Sequence, residues 1–526
     1  MPVTSAIYNA HTDKVNSILA DIEQQFTLDE NDLISITRHF HQLFNLGLGE
    51  YNQPMAMIPT FVTGVPDGTE TGTFLSLDLG GTNLRVCHVQ FHGNQTFTLK
   101  QKKYQVSEAL KTGEATVLFD YLADSVDAFL TSTEAEAEAE VPQQGALRQN
   151  PFDEDPPAVP LGLTFSFPVE QTAIDEGYLL TWTKGFAAKN AVGKDIVKLL
   201  QDAFGRKHLH VKCVALVNDT VGAALSRAYT SGGCVLGAIF GTGTNGAYLE
   251  QVANITKLGN NAPATAGGVM MVNTEWGAFD NARVVLPSTP FDNKVDRESI
   301  NPRFQAYEKF ISGMYLGEIT RNILLALVDA APKPILFGGK ATAHLNKHYG
   351  LDTEMLSLVE SAWGGDADAA SDADDVKLRN FSAPLEEGAL APVTLQRLKR
   401  TQEVVQKHLG YEPGEVSLRD AALVRWIGAL VVRRAARLSA CAVATVAIQM
   451  GFVTGVGKEV RPAEAAAAPG KSYSIGIDGS LYQHYPGFEE RMREALRVLL
   501  SEEVEKKVEM GLAKDGSGVG GEPFVL

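Results

Sequence analysis

Apolar residues in the first fifty positions recur at helical spacing. Val15, Ile18, Leu19 and Ile22 form one stripe, and Ile34, Ile36, Phe40 and Leu43 a second, with Thr27 and Asp29 at the break between them. Pro54, Pro59, Pro66 and repeated Gly mark 51–73 as a connector. From Thr73 the period shortens: FLSLDLGG and TNLRVCHVQF alternate as two strands around a tight turn. Strand-like text returns at 159–167, 211–217 and 234–240. Helix-like text covers 192–204, 220–229, 306–329, 393–409 and 419–450. Strands interleaved with helices predict an α/β fold. The biased stretches 131–160, 364–375 and 459–470 are rich in Ala with Glu, Asp and Pro, and predict exposed loops without chemistry.

One pattern repeats. FLSLDLGGTNLRVCHVQF (74–91) and LGAIFGTGTNGAYLEQV (236–252) each read strand, Gly/Thr/Asn turn, strand. This suggests duplicated halves facing each other across a cleft. Two unrelated hairpins would look the same, because Gly-Thr-Asn is good turn chemistry in any context.

With 526 residues the chain has room for two large domains or up to four ordinary ones. The 63 acidic residues against 46 basic give a formal charge of −17, which excludes a protein that works mainly by coating nucleic acid. A small anion in a local pocket stays compatible with it. Cys87, Cys213, Cys234 and Cys441 show no C-x-x-C spacing, which argues against a zinc site and for a reducing, cytoplasmic compartment. The start has no secretory signal and the end no lipidation signal. Leu438 to Gly457 is uncharged and about bilayer length, but Ala- and Gly-rich, and reads as a buried helix.

Three loops are candidate phosphate cradles: Asp78–Asn83, Gly241–Gly246 and Asp515–Gly520. Gly lets backbone N–H groups approach an anion and Thr adds a hydroxyl. The second loop matches G-x-G-x-x-G, yet strand-like AYLEQV follows where a dinucleotide site needs a helix. Gly470-Lys471-Ser472 ends like a Walker loop, but residue 465 is Ala where Gly is required. An Asp beside a phosphate loop repels the phosphate unless a cation intervenes. Asp78 is therefore a candidate for holding Mg²⁺ through water, or else a turn-capping residue. The middle of the chain adds polar residues in apolar text: Ser166, Thr183, Lys184, Asn218, Asp219, Asn245, Asn273, Glu275 and Glu308. Asn, Asp and Glu each pair with adjacent hydroxyls, so such a set can read a neutral polyol. Asp219 alone would be a helix N-cap, and Trp182 and Trp276 are core or sugar-packing residues.

FLSLDLGGTNLRV, LTFSFPV, TWTKGF, VNDTVG, IFGTGTNGAYLE, NTEWGAFD, YEKFISGMYLGEI and GIDGSLYQHYPGF together resemble the eukaryotic hexokinase and glucokinase family over nearly the whole chain, most closely its fungal glucokinases. The resemblance implies a two-lobed actin-like ATPase (ribonuclease H-like) α/β fold with a central cleft. It implies a large lobe containing 1–73 and 218–514, a small lobe at 74–217, and a return of 515–526 to the small lobe. It further implies sugar contacts at Ser166, Thr183, Lys184, Asn218, Asp219, Asn245, Asn273, Glu275, Gln305 and Glu308. ATP would lie against Asp78, Gly80, Gly81, Thr82, Asn83 and Arg85, against Gly241, Thr242, Gly243 and Thr244, and against Gly476, Asp478, Gly479 and Ser480. The tail after GSGVG departs from the family pattern.

The expected reaction moves the γ-phosphoryl of MgATP to the 6-hydroxyl of glucose. Asp219 serves as base or orienter and Lys184 offsets charge. The rivals are a broad hexokinase that also uses fructose and mannose, a glucose sensor with secondary catalysis, and a generic ATPase. Monomer and homodimer both stay open.

Overall fold

The computed structural model describes residues 2–80, 83–140, 158–183, 185–261, 265–364, 387–462 and 473–513. The N-terminal stripes fold as helices Pro2–Phe26 and Glu30–Gly49. They part where the sequence predicts. Asp29 accepts the Asp32 N–H at 2.8 Å and Asp32 returns the favour to the Asp29 N–H at 2.8 Å, a capping box that starts the second helix.

The strands, in chain order, are β1 (Ile58–Pro59), β2 (Thr71–Leu79), β3 (Asn83–His92), β4 (Phe97–Gln105), β5 (Val159–Phe165), β6 (Val169–Ala173), β7 (Glu176–Leu179), β8 (Val211–Val217), β9 (Leu236–Phe240), β10 (Thr244–Gln251), β11 (Val269–Asn273), β12 (Val453–Thr454), β13 (Arg461–Pro462), β14 (Tyr473–Asp478) and β15 (Val508–Leu512). One sheet runs β4-β3-β2-β5-β8 and the other β1-β11-β10-β9-β14-β15. Both repeats are antiparallel hairpins, β2–β3 and β9–β10. In each sheet the first strand of the hairpin also has a parallel neighbour: β5 beside β2, and β14 beside β9.

Each sheet has its own core. Leu77, Leu163, Phe119 and Phe204 belong to that of the first. The second is larger and includes Phe40, Phe279 and Tyr307, together with the helix Leu418–Gln449. Phe40 stacks on Phe279 with ring centroids 3.5 Å apart. Leu418–Gln449 carries the uncharged run and starts at a Ser417/Asp420 capping box. Its buried Ala residues let neighbouring elements approach closely. No helix among the described residues is long and apolar enough to cross a membrane.

Four readings change. The connector contains β1, and β2 begins at Thr71 rather than Thr73. Residues 131–140 are the end of the helix Ala115–Glu140, because alternating Glu and Ala are strong helix formers. The helix expected over 306–329 is two, Ala306–Ile311 and Gly313–Val328, parted at an extended Ser312. Arg461–Pro462, in the third biased stretch, pairs with Val453–Thr454. The remainder of the three biased stretches, the loop 515–520 and the proposed return of 515–526 lie outside the described residues, apart from 158–160, 364 and 459–460.

Candidate active site

The sequence-predicted residues gather at one edge of each sheet. In the first, Asp78 stands opposite Thr164 in register and Thr164 opposite Val217, so β2, β5 and β8 end together. Asp78, Ser166 and Asn218 therefore lie at the carboxyl ends of neighbouring parallel strands, where α/β sheets bind ligands. The Ser166 N–H donates to the Leu79 carbonyl at 3.4 Å, tying β5's exit to β2. In the second sheet Asp478 pairs with Ile239, so β14 and β9 also end together, at Gly479 and Gly241.

The helix Asp219–Ser231 joins the two. Its N-cap is Asn218, whose side chain accepts the Thr220 N–H at 3.0 Å. This corrects the reading of Asp219 as the cap: Asp219 is the first helical residue and is half-buried. At its other end Tyr229 lies against Phe91 of β3, centroids 4.5 Å apart, and its hydroxyl accepts the Gly93 N–H at 3.1 Å. Along its length the helix packs on β9, where Gly237 leaves no room for a Cβ against the Thr220 carbonyl.

The polyol-type residues form a hydrogen-bonded set. Asn245 Nδ2 donates to Asn273 Oδ1 at 2.8 Å and to Glu275 Oε1 at 3.3 Å, and lies 3.5 Å from Asn218 Oδ1. Asn273 Nδ2 donates to the same Glu275 oxygen at 2.8 Å. Glu275 and Gln305 hold left-handed backbone conformations, φ 52° and 54°. For non-glycine residues that costs roughly 1–3 kcal/mol each and is found where surrounding structure fixes a side chain's aim. Gln305 is buried, and its carboxamide crowds Gly277. Glu308 Oε2 accepts the Thr244 N–H at 3.1 Å and closes on Gly243, joining this set to the second Gly/Thr loop.

That loop is clamped from both sides. The Gly241 N–H donates to the Gly243 carbonyl at 3.1 Å. The Gly241 and Thr242 carbonyls accept the N–H groups of Gly313 and Met314 at 2.7 and 3.1 Å. Gly479, φ 119°, lies so close to the Phe240 carbonyl that a Cβ would overlap it. Gly476 is similarly crowded, by Arg227 and the Ala223 carbonyl. Asp478 Oδ1 accepts the Gly479 N–H at 2.6 Å, and Ser480 opens the short helix Ser480–His484. In the first loop the Gly80 N–H donates to the Asn83 carbonyl at 3.1 Å.

Asp78 is 2% exposed, and Arg85, directly opposite it in the hairpin, donates Nε and Nη2 to its Oδ2 at 2.9 and 2.7 Å. Burial works against the charge on Arg85, and Asp78 beside it, with Asp478 from the other sheet, more than offsets this and raises its pKa. The strand ends of both sheets thus meet electrostatically at one arginine.

Thr183 is half-buried, its carbonyl accepting the Phe186 N–H at 3.0 Å, and among the described residues no bond joins it to the Asn245 set. Gly81, Thr82 and Lys184 lie outside the described residues. Both tryptophans are core. Trp276 is fully buried over Gly246 and donates Nε1 to Thr244 Oγ1 at 2.9 Å. Trp182 donates Nε1 to the Ala188 carbonyl at 2.8 Å, among Phe165, Phe167 and Phe186. Sequence reasoning missed Thr274, whose Oγ1 donates to the Gly246 carbonyl at 2.7 Å and so fixes Asn245 against Asn273. A hydroxyl between Asn273 and Glu275, directly after the apolar run Val269–Val272, was the available signal.

Two α/β sheets thus end at Gly-containing strand exits, with a hydrogen-bonded set of the polyol-binding kind beside one of them. Family models described as hexokinase match residues 18–229 and 235–522, and the chain belongs to the hexokinase family. It is 37% identical to a glucokinase of Aspergillus niger over 95% of this chain and 94% of that protein. With a hexokinase of Emericella nidulans it shares 36% identity over 95% of this chain and 88% of the relative. The structure of a Schistosoma mansoni hexokinase complexed with glucose superposes with a TM-score of 0.75 at 31% identity, covering 97% of this chain and 98% of that one.

Proposed function

We propose that this chain phosphorylates glucose at its 6-hydroxyl with MgATP. The observation that carries the reading is the bonded set Asn218–Asn245–Asn273–Glu275, joined through Glu308 and Thr244 to a clamped Gly/Thr loop. A neutral polyol is bound by side chains that donate and accept at adjacent positions, and a phosphate by backbone N–H groups. Here the two kinds of site abut. The glucose-bound relative and the glucokinase of Aspergillus niger support glucose as the acceptor.

In this reading Asn245, Asn273, Glu275 and Glu308 orient the sugar ring. Ser166, Thr183, Lys184 and Gln305 complete its pocket. Asp219 accepts the proton of the attacking hydroxyl. Gly80 to Asn83, Gly241 to Thr244 and Gly476 to Ser480 take the nucleotide. Lys184 and Arg85 offset charge on the phosphates. A divalent cation fits the donors present, since Asp78 and Asp478 offer the hard carboxylate oxygens that Mg²⁺ selects, beside the loops that would hold phosphate. Asp78 would hold the ion through water, and the ion's chemistry is to neutralise charge on the phosphate oxygens. Free buried thiols at all four cysteines suit a reducing cytosol.

A coupled assay for glucose 6-phosphate at millimolar glucose and MgATP tests the reading. Sugar-dependent product supports it. ATP hydrolysis that is equal with and without glucose sinks it. Comparing kcat/KM for glucose and fructose then separates a glucokinase from a broad hexokinase.

A further inference from the structure

Lys257 sits in the turn Thr256–Leu258, away from the residues assigned above to sugar or nucleotide. Its ammonium donates to three backbone carbonyls: Gly47 at 2.7 Å, Ala56 at 2.7 Å and Met57 at 2.6 Å. All three ammonium protons are therefore used. The stem is half-buried and the head lies 5.2 Å from the Tyr51 ring centroid. Gly47 belongs to the last turn of the helix Glu30–Gly49, where carbonyls lack intrahelical partners and the helix has no basic residue of its own. Ala56 and Met57 belong to the connector. One cation thus fastens the connector to the end of that helix.

The fastened segment leads directly to the sugar-side set. Met57 has φ 44°, and its N–H donates to the Thr274 carbonyl at 3.3 Å. The next residue, Ile58, pairs with Asn273, and Pro59 with Val272. Thr60 donates both its N–H and its hydroxyl to the Met271 carbonyl, at 3.1 and 2.8 Å. The strand that ends in Asn273, Thr274 and Glu275 is therefore edged by β1, and β1 is anchored at its start by Lys257. Gly47 permits the close pass, since a Cβ there would collide with the Met55 carbonyl and Met57.

We propose that Lys257 is a positioning residue for sugar binding: its three-carbonyl clamp holds β1 in register so that Asn273 and Glu275 keep their aim. This rests on the assignment of that set to the sugar. The Gly241 loop has anchors of its own, the N–H groups of Gly313 and Met314. Loss of the clamp should then separate the two substrates.

The test compares Lys257→Met and Lys257→Cys with the wild type in steady-state kinetics of glucose phosphorylation. The methionine keeps the stem and removes every donor. The expected result is a glucose KM raised about tenfold or more, with the ATP KM and kcat within about twofold. Treating Lys257→Cys with bromoethylamine rebuilds an ammonium at nearly the same reach, and should restore the glucose KM. Iodoacetamide, which leaves a neutral amide, should not. The native cysteines are all buried, so alkylation is confined to position 257 and is verified by mass. If Lys257→Met fails to fold, the comparison of the two alkylated cysteine proteins carries the test. An unchanged glucose KM, an equal rise for both substrates, or recovery with iodoacetamide overturns the proposal. A wild type that makes no glucose 6-phosphate instead overturns the assignment on which it rests.

Discussion

Replacing Asn245 with Ala tests the sugar-side set at its centre. The amide has two N–H groups and three acceptors within 3.5 Å: Asn273 Oδ1 at 2.8 Å, Glu275 Oε1 at 3.3 Å and Asn218 Oδ1 at 3.5 Å. One proton serves Asn273 and the other is shared between the longer pair. The substitution removes two neutral bonds, to Asn273 Oδ1 and from the Gly246 N–H, worth about 1 kcal/mol each, and a bond to a carboxylate worth about 1.5–3 kcal/mol. Part of this loss falls on stability, and water entering the gap recovers some. The remainder is orientation lost by Asn273 and Glu275. A residue of about 2–3 kcal/mol in binding corresponds to glucose affinity weakened roughly 30- to 150-fold. Titration calorimetry with glucose and no nucleotide measures this directly, with a melting curve recorded on the same sample. ATP binding should change less than about threefold, because Gly241 and Thr242, the nucleotide side of the loop, are bonded to Gly313 and Met314 rather than to the Asn245 side chain. A variant that melts several degrees lower yet binds glucose within threefold of wild type would refute the reasoning, for the amide would then be core and not site.

Asp219→Asn keeps shape and helix start but cannot accept a proton; kcat should fall about 10²- to 10⁴-fold with glucose affinity little changed, and near-normal turnover would remove Asp219 from the base role. Gly479→Ala puts a Cβ on the Phe240 carbonyl at a left-handed φ, so the ATP KM should rise about tenfold while calorimetry finds glucose binding intact. Burial pushes the thiols of Cys213 and Cys441 up to about 12 and that of Cys234 up to about 11, so native protein at pH 8 should consume almost no thiol reagent and unfolded protein four equivalents per chain. Chelating divalent cations should abolish turnover and leave glucose binding in place, and an unchanged rate in excess chelator would sink the proposed use of Mg²⁺.

Strand ends were the most legible part of the chain. Apolar runs stopped by Asp-Leu-Gly-Gly, Asn-Asp or Gly-Thr-Gly can do little but end a buried strand at a polar edge, and β2, β8 and β9 end there. The pairing of Asp78 with Arg85 was readable too, from the hairpin register that sets Leu79 against Leu84, had cross-strand partners been counted outward from the turn. Other features had no local signal. Glu-Ala alternation favours a helix by propensity but carries no apolar stripe, so only its continuity with the preceding turns of Ala115–Glu140 shows it as one. The break at Ser312 comes from outside its helix, because Gly313 and Met314 give their N–H groups to Gly241 and Thr242. The left-handed turns at Glu275 and Gln305 are likewise imposed by neighbours, and no propensity favours them. Lys257 carries no local signal, since its carbonyl partners in the connector are about 200 residues away in sequence.

A chain with a formal charge of −17 has to bind a polyanion without a broad positive field. The architecture solves this locally. The second phosphate loop is Gly and Thr, offering neutral N–H and hydroxyl donors that attract phosphate without adding net charge. The one buried carboxylate in the first hairpin, Asp78, is matched by Arg85, which also feels Asp478 from the opposite sheet. A change in the spacing of the two sheets would therefore alter the field at Arg85. The helix Asp219–Ser231 touches both sheets, at Gly237 and at Phe91, and carries the proposed base at its first residue. Sugar binding that shifts one sheet against the other would move that carboxylate and the Arg85 field together. Water, though small enough to enter, would bond too few of Asn218, Asn245, Asn273 and Glu275 to drive such a shift and should be a poor acceptor.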